Sequence, residues 1–425
     1  MSSADFDRRL NDWFDAVEPR TVPLDLLAPV LRHVAQTRQD RGPWQRFVAT
    51  IELARRPMTQ VSWGLGLLIV TALLIVALAA VGLAAGIIRL PAKTTIVDGL
   101  IAVQDEIGSE EPGSYRIRFI DPRTGTDVFT TPSSVRACGA QFSPDGSQYA
   151  FLYQDAGSDA GNDISVAVAP AVADFQPTLL MRKPVQMYFD PAWAPDARSL
   201  ASTMEVADLA FRELWVLPAD GRGGRRLTEV QTSFSADWST DGEWIAFVGV
   251  GLTHPLYIIR PDGSDLRLLV PSGVDSVAWS PVRRELAFSA SDARLHVISL
   301  NGTELLAMDD GRDPITTDLT GAGVIAPVWS DDGTKVAMVV DGALKIFDIA
   351  AGSVASIVLP DPISRSVWSA SGRTLVVVTT PAEQVSGDLL EVSLNGTAPR
   401  LIAHGVRANC MSASAALSWQ RLTQP

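Results

Sequence analysis

From residue 130 onward, apolar runs alternate with turn residues, and one phrase of twelve residues recurs. Its copies are QFSPDGSQYAFL at 141–152, AWAPDARSLAST at 192–203, DWSTDGEWIAFV at 237–248, AWSPVRRELAFS at 278–289, VWSDDGTKVAMV at 328–339 and VWSASGRTLVVV at 367–378. Pro, Asp and Gly in the middle of each phrase favour a tight turn. The apolar run that follows is typical of a buried strand. Each copy therefore predicts a strand, a turn and a second strand.

A second hairpin follows most copies, and its signal is an Asp-Gly or Asn-Gly pair between alternating apolar runs. It is clearest in LWVLPADGRGGRRL at 214–227, LYIIRPDGSDLRLL at 256–269, LHVISLNGTELLAM at 295–308 and LLEVSLNGTAPRLI at 389–402. Two hairpins per repeat predict a four-stranded unit. The aromatic residues that mark the repeats are predicted to form its core; they are Phe142, Trp193, Trp238, Trp279, Trp329, Trp368 and, in a truncated copy, Trp419. They recur every 39 to 51 residues, which is the length of a β-propeller blade.

The two ends of this region complete each other. Three strand-like runs at 99–104, 115–120 and 127–131 precede the first full copy, and they correspond to a blade that lacks its first strand. The last apolar run, at 415–420, is a first strand without followers. Pairing them predicts an all-β propeller of seven four-stranded blades over residues 99–425, with six blades as the alternative. Such a closure removes the open sheet edges.

These phrases resemble the WD-like repeats of TolB-type β-propellers, in which Trp-Ser-Pro-Asp-Gly turns and Asp-Gly hairpins recur. The resemblance covers roughly residues 99–421 and is weakest at the turns 282–284 and 369–372. It implies a propeller with a binding role. TolB itself is a soluble periplasmic protein with six blades, so the seven predicted blades and the segment described next depart from it.

A membrane segment is predicted before the propeller. Residues 61–88 contain no charged residue over 28 positions, and about 20 apolar residues suffice to cross a bilayer. Residues 1–60 hold nine Arg, whereas Asp and Glu dominate beyond the short linker at 89–98. Because Arg-rich flanks stay in the cytoplasm, the chain is predicted to be a single-pass protein of the cell membrane with its propeller outside. A buried core helix is the alternative.

The predicted cytoplasmic segment, residues 1–57, has apolar residues at helical spacing and buries too little surface to form a stable domain alone. It is expected to pack on the membrane or on a cytoplasmic regulator. The layout is similar to that of membrane-spanning anti-sigma factors. Their His-x-x-x-Cys-x-x-Cys zinc motif is absent, because His33 has no Cys near it in the sequence. A signalling role is therefore predicted from layout only.

The net charge restricts the kind of partner, and the two cysteines suggest a disulfide. The net charge of −13 argues against a nucleic-acid partner, whose phosphates require a basic surface. The chain has two cysteines, and each precedes the inner strand of neighbouring predicted blades. A disulfide between Cys138 and Cys410 is predicted to fasten the ring, since the domain would lie outside the reducing cytosol. Two unpaired thiols are the alternative.

No catalytic, cofactor or metal residue is predicted. The sequence has no G-x-S-x-G elbow, and His254, His296 and His404 occur singly. The acidic loop at 155–163 does not match a calcium-binding spacing. The leading hypothesis is a non-enzymatic propeller that binds a protein, peptide or envelope ligand through the channel mouth or the loops at 157–163 and 309–326. An enzyme that uses the channel, such as a hydrolase or lyase, and a passive scaffold are the alternatives.

Overall fold

The computed structural model describes residues 95–106, 115–155, 164–181, 185–206, 212–251, 253–311, 326–381, 384, 386–407 and 417–424. Contacts divide the chain into two compact units, Met1–Pro91 and Ala92–Pro425, and every described strand belongs to the second. The predicted cytoplasmic and membrane segments, residues 1–57 and 61–88, lie outside the described residues. Among the described residues, no helix is long and apolar enough to cross a membrane.

The described part of the second unit is all-β and consists of repeated four-stranded antiparallel sheets, as predicted. Its first three blades, named in chain order, are β4–β7, β8–β11 and β12–β15. Their strands are β4 Val135–Phe142, β5 Gln148–Asp155, β6 Ser165–Pro170, β7 Thr178–Leu179, β8 Val185–Trp193, β9 Ser199–Val206, β10 Arg212–Pro218, β11 Arg225–Arg226, β12 Thr232–Trp238, β13 Ile245–Gly249, β14 Leu256–Ile259 and β15 Arg267–Val270.

Blades 4 to 6 follow the same order. They comprise β16 Val274–Trp279, β17 Glu285–Ala290, β18 Arg294–Ser299, β19 Glu304–Asp309, β20 Val328–Trp329, β21 Lys335–Val340, β22 Ala343–Asp348, β23 Ser353–Ile357, β24 Ile363–Trp368, β25 Thr374–Thr379, β26 Ser386–Ser393 and β27 Arg400–Arg407. In each blade the strands pair with their sequence neighbours.

Blade 7 combines both ends of the domain. Its strands are β28 Leu417–Gln424, β1 Thr95–Glu106, β2 Tyr115–Ile120 and β3 Asp127–Thr130, paired in that order. The pairing of the last strand with the first is therefore present as the sequence predicted. β1 begins at Thr95 rather than at residue 99, because the preceding β-branched residues pair with the end of β28.

The described strands form six hydrogen-bonded sheets, five of four strands and one of eight. The eight-stranded sheet contains blades 6 and 7, which are joined at a single register position, Gln104 opposite Arg407. The pairings thus give seven four-stranded units. The first strand of each unit contacts the first strand of the next, and β28 contacts β4, so the contacts return to their start. A closed ring of sheets is the arrangement of a β-propeller.

The hydrophobic core lies between blades. Seven apolar clusters each join two neighbouring blades, and the repeat aromatic of the later blade belongs to the cluster that it shares with the preceding blade. All seven repeat aromatics are buried. The indole N–H groups of Trp193, Trp329 and Trp368 also donate to backbone carbonyls of the preceding blade at 3.0, 3.2 and 2.9 Å. The repeated aromatic is therefore an inter-blade contact rather than the centre of a single sheet.

Candidate functional site

The propeller has two rims of different construction. First and third strands run toward one rim, where tight turns connect them to the next strand; we call it the turn rim. Second and fourth strands end at the opposite rim, where most of the long connections occur; we call it the loop rim. The chain enters the domain at Thr95 on the turn rim, because β1 begins where β28 ends.

The turn rim is built from hydrogen-bonded Ser-x-Asp turns. In blade 3, the Ser239 hydroxyl donates to Asp241 Oδ1 at 2.7 Å, and the Glu243 amide donates to the same oxygen at 3.0 Å. The Ser239 Oγ accepts the Trp244 amide at 2.9 Å. Blades 1 and 5 repeat this geometry around Asp145 and Asp332. The Ser and Asp side chains of the repeated phrase thus complete hydrogen bonds within their own turn.

These hydrogen bonds set the charge state of the turn carboxylates. Burial by itself would raise the pKa of Asp241, but hydrogen bonds from Ser239 and Glu243 and the nearby Arg284 guanidinium lower it below its usual value. The pKa values of Asp145 and Asp332 are lowered in the same way. The turn carboxylates are consequently ionised at neutral pH and are occupied by local donors.

Ring closure is also fastened on the turn rim. The Gln420 side chain donates to the Gly146 carbonyl of blade 1 at 2.7 Å and accepts the Leu100 amide of its own blade at 3.0 Å. The Ala370 amide of blade 6 donates to Asp98 Oδ1 at 2.6 Å. Arg421 Nε pairs with Asp331 Oδ2 of blade 5 at 2.9 Å. Blade 7 is therefore linked to three other blades by polar contacts between residues far apart in sequence.

Buried polar groups without a partner among the described residues occur near both rims. Near the turn rim they are indole N–H groups, those of Trp238, Trp244, Trp279 and Trp419, whereas near the loop rim they include amides and hydroxyls. Gln104, Gln154, Thr203 and Thr232 lie at or near the loop-rim ends of first or second strands, which are the two innermost strands of a blade. Each side chain is at most 2% exposed. Gln104 Oε1, Gln154 Nε2 and both threonine hydroxyls make no hydrogen bond to any residue that the structure describes. We call these four residues the mouth set.

Further polar residues accompany the mouth set. Arg136 lies opposite Gln154 across β4 and β5, and Arg365 lies near the start of β24. Asp310 follows β19 and is buried. Gln104 Nε2 contacts Cys138 Sγ at 3.6 Å. This end of the inner strands therefore combines amides, hydroxyls and guanidinium groups, which bind polar ligands such as peptide groups and carboxylates.

One carboxylate on an inner strand has an unusual environment. Asp237 Oδ2 accepts the Trp279 amide of the next blade at 2.7 Å, and Oδ1 accepts the Trp238 amide at 2.9 Å. Burial of the carboxyl group raises the pKa of Asp237 to about 6, although both hydrogen bonds oppose the shift. Asp237 therefore connects blades 3 and 4 rather than offering a free acid.

The three histidines of the propeller are held by neighbouring acids or by turns. His296 lies between Glu304 and Asp292, at 2.8 and 3.0 Å, and stacks on Phe288 with ring centroids 4.9 Å apart. His404 Nδ1 lies 2.7 Å from Asp388. His254 is in a turn with φ of 45°. In the described ranges, no group of three or more His, Cys, Asp or Glu residues could hold a metal ion.

The cysteine prediction falls partly outside the described residues. Cys138 is buried on β4 and is not a free thiol. Cys410 belongs to residues 408–416, which are not described, so its pairing with Cys138 stays a prediction. Most of the predicted ligand loops at 157–163 and 309–326 are likewise outside the described ranges. The sequence missed the mouth set, since single Gln and Thr residues within apolar strands carry no motif.

The described strands define the class of fold: an all-β propeller of repeated four-stranded antiparallel sheets. No protein-family model matches the chain, and no curated protein matches it. Among solved structures, the chain is similar to the crystal structure of TolB from Acinetobacter baumannii. Identity is 13%, with 77% of this chain and 82% of that chain covered and a TM-score of 0.47. The nidogen/laminin complex matches at 11% identity, with 61% and 93% covered and a TM-score of 0.42. We derive no function from similarities at this level.

Proposed function

We propose that the chain is a membrane-tethered β-propeller that binds a protein or peptide ligand at its loop rim, outside the cell membrane. The observation that carries this proposal is the mouth set. A buried amide or hydroxyl without a partner costs about 1–3 kcal/mol. Proteins carry such costs mainly where a ligand or an ordered water completes the hydrogen bonds. Peptide groups supply both the donors and the acceptors that the mouth set lacks.

The place where the chain enters the propeller also supports binding at the loop rim. Thr95 begins β1 on the turn rim, so a membrane segment at 61–88 would attach to the propeller from that side. The loop rim is the opposite end of every blade. A tethered propeller would therefore present the loop rim to the extracytoplasmic space.

Site-specific photo-crosslinking in intact cells tests the binding role. A photoreactive amino acid replaces Ser291 near the loop rim or, as a matched control, Asp262 on the turn rim; both positions are exposed. We expect one discrete crosslinked product from position 291 that disappears in the variant Gln104→Leu/Gln154→Leu. Equal products from both rims, or a product insensitive to that variant, would contradict the proposal.

Membrane topology is tested separately. In spheroplasts, added protease should degrade the propeller and leave a protected fragment that contains residues 1–57. Degradation of the N-terminal segment with a protected propeller would contradict the proposed orientation. Because this result does not depend on ligand binding, it distinguishes failure of the tether from failure of the binding site.

The proposed disulfide between Cys138 and Cys410 would fasten blade 1 to the connection that precedes β28. Intact-mass measurement after alkylation, with and without reductant, tests it. We expect two alkyl groups to be added only after reduction. Two groups added without reductant would refute the disulfide.

We also propose that residues 1–57 bind a cytoplasmic regulator, on the basis of their amphipathic pattern and the Arg-rich flank. Crosslinking of the full-length chain at Trp13, one of the apolar residues at helical spacing in this segment, should yield a cytoplasmic protein. Crosslinks to lipid alone would indicate a membrane anchor without a signalling partner.

A further inference from the structure

Arginine side chains connect the outermost strands of two blades to a turn of the next blade. In blade 2, the two Nη atoms of Arg225 donate to the carbonyls of Pro261 and Asp262 in the β14–β15 turn of blade 3, at 2.5 and 2.6 Å. In blade 6, Arg400 Nη2 donates to the Pro122 carbonyl in the β2–β3 turn of blade 7 at 2.8 Å. At these two junctions a guanidinium group therefore lies between the outermost strand and the next turn.

Blade 5 has no arginine at this position. Arg225, Arg400 and Ala355 share one register position, since each is joined through the third and second strands to the residue that precedes the repeat tryptophan. Blade 3 also has an arginine there, Arg267, which pairs with Asp265 of its own turn. Opposite residues of antiparallel strands present their side chains on one face. The short Ala355 side chain therefore faces blade 6 and has no donor for its turn.

A cleft lies between blades 5 and 6 at this level. It has a volume of about 520 Å³ and is lined by one face of β21 to β23 in blade 5 and by β26 and the β26–β27 turn in blade 6. The lining includes Ala355 and, among its apolar side chains, Ile346, Ile357, Val392 and Leu394. The cleft thus occupies the space that a longer side chain at the position of Ala355 would enter.

The turn of blade 6 is also packed less closely than its counterparts. A Cβ on Gly263 of blade 3 would lie 3.1 Å from a backbone carbonyl oxygen of blade 2, and a Cβ on Gly125 of blade 7 would lie 2.3 Å from one of blade 6. Gly396, in the corresponding turn of blade 6, has no atom within 4 Å of that position. The turn therefore leaves room beside blade 5.

The turn of blade 6 offers the same acceptors as the turn of blade 3. The sequence SLNGT at 393–397 matches RPDGS at 260–264. In both turns the side chain before the glycine accepts the amide two residues later, at 3.0 and 2.9 Å. The carbonyls of Leu394 and Asn395 therefore correspond to the two carbonyls that Arg225 contacts in blade 3.

The chemistry of the cleft favours an arginine side chain as its occupant. Apolar walls suit the methylene groups of the side chain, and two adjacent carbonyls suit the planar guanidinium group, whereas the ammonium group of lysine lacks this fork of donors. Lys335 Nζ lies 2.7 Å from Asp348 Oδ2, so the charged side chains of the lining neutralise each other. The net charge of −13 attracts a basic partner.

We propose that the cleft between blades 5 and 6 binds an arginine side chain of a partner protein, which makes the contacts that Arg225 makes within the ring. A volume of about 520 Å³ lies within the usual range of ligand clefts, about 300–1,000 Å³, and holds the side chain with part of a flanking residue. This site is distinct from the loop rim and does not rest on the function proposed there.

Binding of labelled peptides to the full-length chain in non-ionic detergent tests this proposal. The probes are capped five-residue peptides that carry arginine, lysine or citrulline between leucines; citrulline has the shape of arginine without its charge. We expect saturable binding of the arginine peptide by fluorescence anisotropy, at least about tenfold tighter than that of the other two. Hydrogen exchange of the amides at 393–397 should slow when the arginine peptide is bound.

Variants of the protein locate the site. Ala355→Arg places a guanidinium group of the chain itself in the cleft, and Ala355→Trp fills the cleft without a charge; each should weaken binding of the arginine peptide at least about tenfold. The matched control is Thr178→Arg, which adds an arginine at the same register position of blade 1, where the side chain is exposed, and should leave binding unchanged.

Three results would overturn the proposal: absence of saturable binding, equal affinity for the three peptides, or equal loss in Ala355→Arg and Thr178→Arg. The hydrogen-exchange measurement uses the unmodified chain, so the proposal stays testable if a variant does not fold. Light scattering that detects a dimer abolished by Ala355→Arg would overturn the proposal in favour of a second copy of the chain.

Discussion

The turn rim and the loop rim use similar polar residues in opposite ways. On the turn rim, Gln420 is buried and both ends of its amide are hydrogen-bonded to backbone groups. On the loop rim, Gln154 is buried to a similar extent and its Nε2 has no partner. Two glutamines of one propeller thus differ in whether the fold itself completes their hydrogen bonds. The difference predicts that Gln420 contributes more to the stability of the fold than Gln154 does.

The largest predicted difference in the free energy of unfolding is between variants of Gln420 and Gln154. Gln420→Leu removes the partners of the Leu100 amide and the Gly146 carbonyl and should destabilise the fold by about 2–4 kcal/mol. Gln154→Leu removes a buried side chain whose amide nitrogen has no partner among the described residues, so it should cost less than about 1 kcal/mol. Chemical denaturation followed by tryptophan fluorescence measures both. Equal destabilisation by the two changes would contradict the proposed difference between the rims.

Two glycines test how closely blade 1 approaches β28. Gly146 and Gly372 occupy the same turn position with φ of 69° and 65°. A Cβ on Gly146 would lie 2.3 Å from the Arg421 carbonyl oxygen, whereas a Cβ on Gly372 would meet only Ser330 Cβ at 3.9 Å. Gly372→Ala should therefore cost about 1 kcal/mol for its backbone conformation, and Gly146→Ala about 2–3 kcal/mol.

Chemical denaturation followed by tryptophan fluorescence compares the stabilities of Gly146→Ala and Gly372→Ala. Gly372→Ala is the control for the cost of backbone strain. Similar losses in both variants would mean that the contact between blade 1 and β28 does not limit stability. A larger loss in Gly372→Ala would contradict the proposed role of the closure.

The pKa values of Asp237 and Asp241 are shifted in opposite directions, so the two carboxylates should change the stability of the fold in opposite ways as pH rises. The folded-state pKa of Asp237 is raised to about 6, so the ionised group destabilises the fold as pH rises from about 4 to 6. Asp237→Asn removes the titrating group but retains one acceptor for the two amides of Trp238 and Trp279. Its stability relative to the wild type should therefore rise by about 1–3 kcal/mol as pH increases from about 4 to 7. The lowered pKa of Asp241 gives the opposite sign, because its stabilisation is present above the ordinary value and is lost as pH falls through the folded pKa.

Denaturation of Asp237→Asn at pH 4 and pH 7, and of Asp241→Asn at pH values below about 3 and at pH 7, measures this contrast. Asp241→Asn should be destabilised at pH 7 and approach the wild type in acid. A pH-independent difference for Asp237→Asn would indicate that its carboxyl group titrates normally.

The smallest predicted effect concerns a turn that departs from the repeat. Blade 2 has Ala197, with φ of 58°, where blades 1, 3, 5 and 6 have glycine. A left-handed conformation costs an alanine about 1 kcal/mol relative to glycine. Relief of this backbone strain in Ala197→Gly should therefore stabilise the protein by about 0.5–1 kcal/mol. Loss of the packing of the buried Ala197 methyl group reduces that gain. Thermal unfolding measures the shift, and a lower melting temperature would show that methyl packing exceeds the backbone strain.

Much of the fold was predictable because its signals are local and repeated. The Ser-Pro-Asp-Gly phrases predict turns from the properties of their own residues, and Phe142 and the six tryptophans mark one position per blade. The composite blade was also predictable, since a repeat without its first strand and a strand without its repeat complement each other. By contrast, the mouth set depends on neighbours from other strands and carries no local signal.

The sequence by itself determined the repeat, the strand pairing order and the closure, because these follow from hydrophobic alternation and turn chemistry within each segment. Only the tertiary structure decided that each repeat aromatic packs against the preceding blade. It also decided that Gln420 is hydrogen-bonded across 274 residues while Gln154 lacks a partner for its amide nitrogen. The physical reason is that hydrogen-bond satisfaction and burial depend on atoms brought together by ring closure, and those contacts are absent from any local pattern.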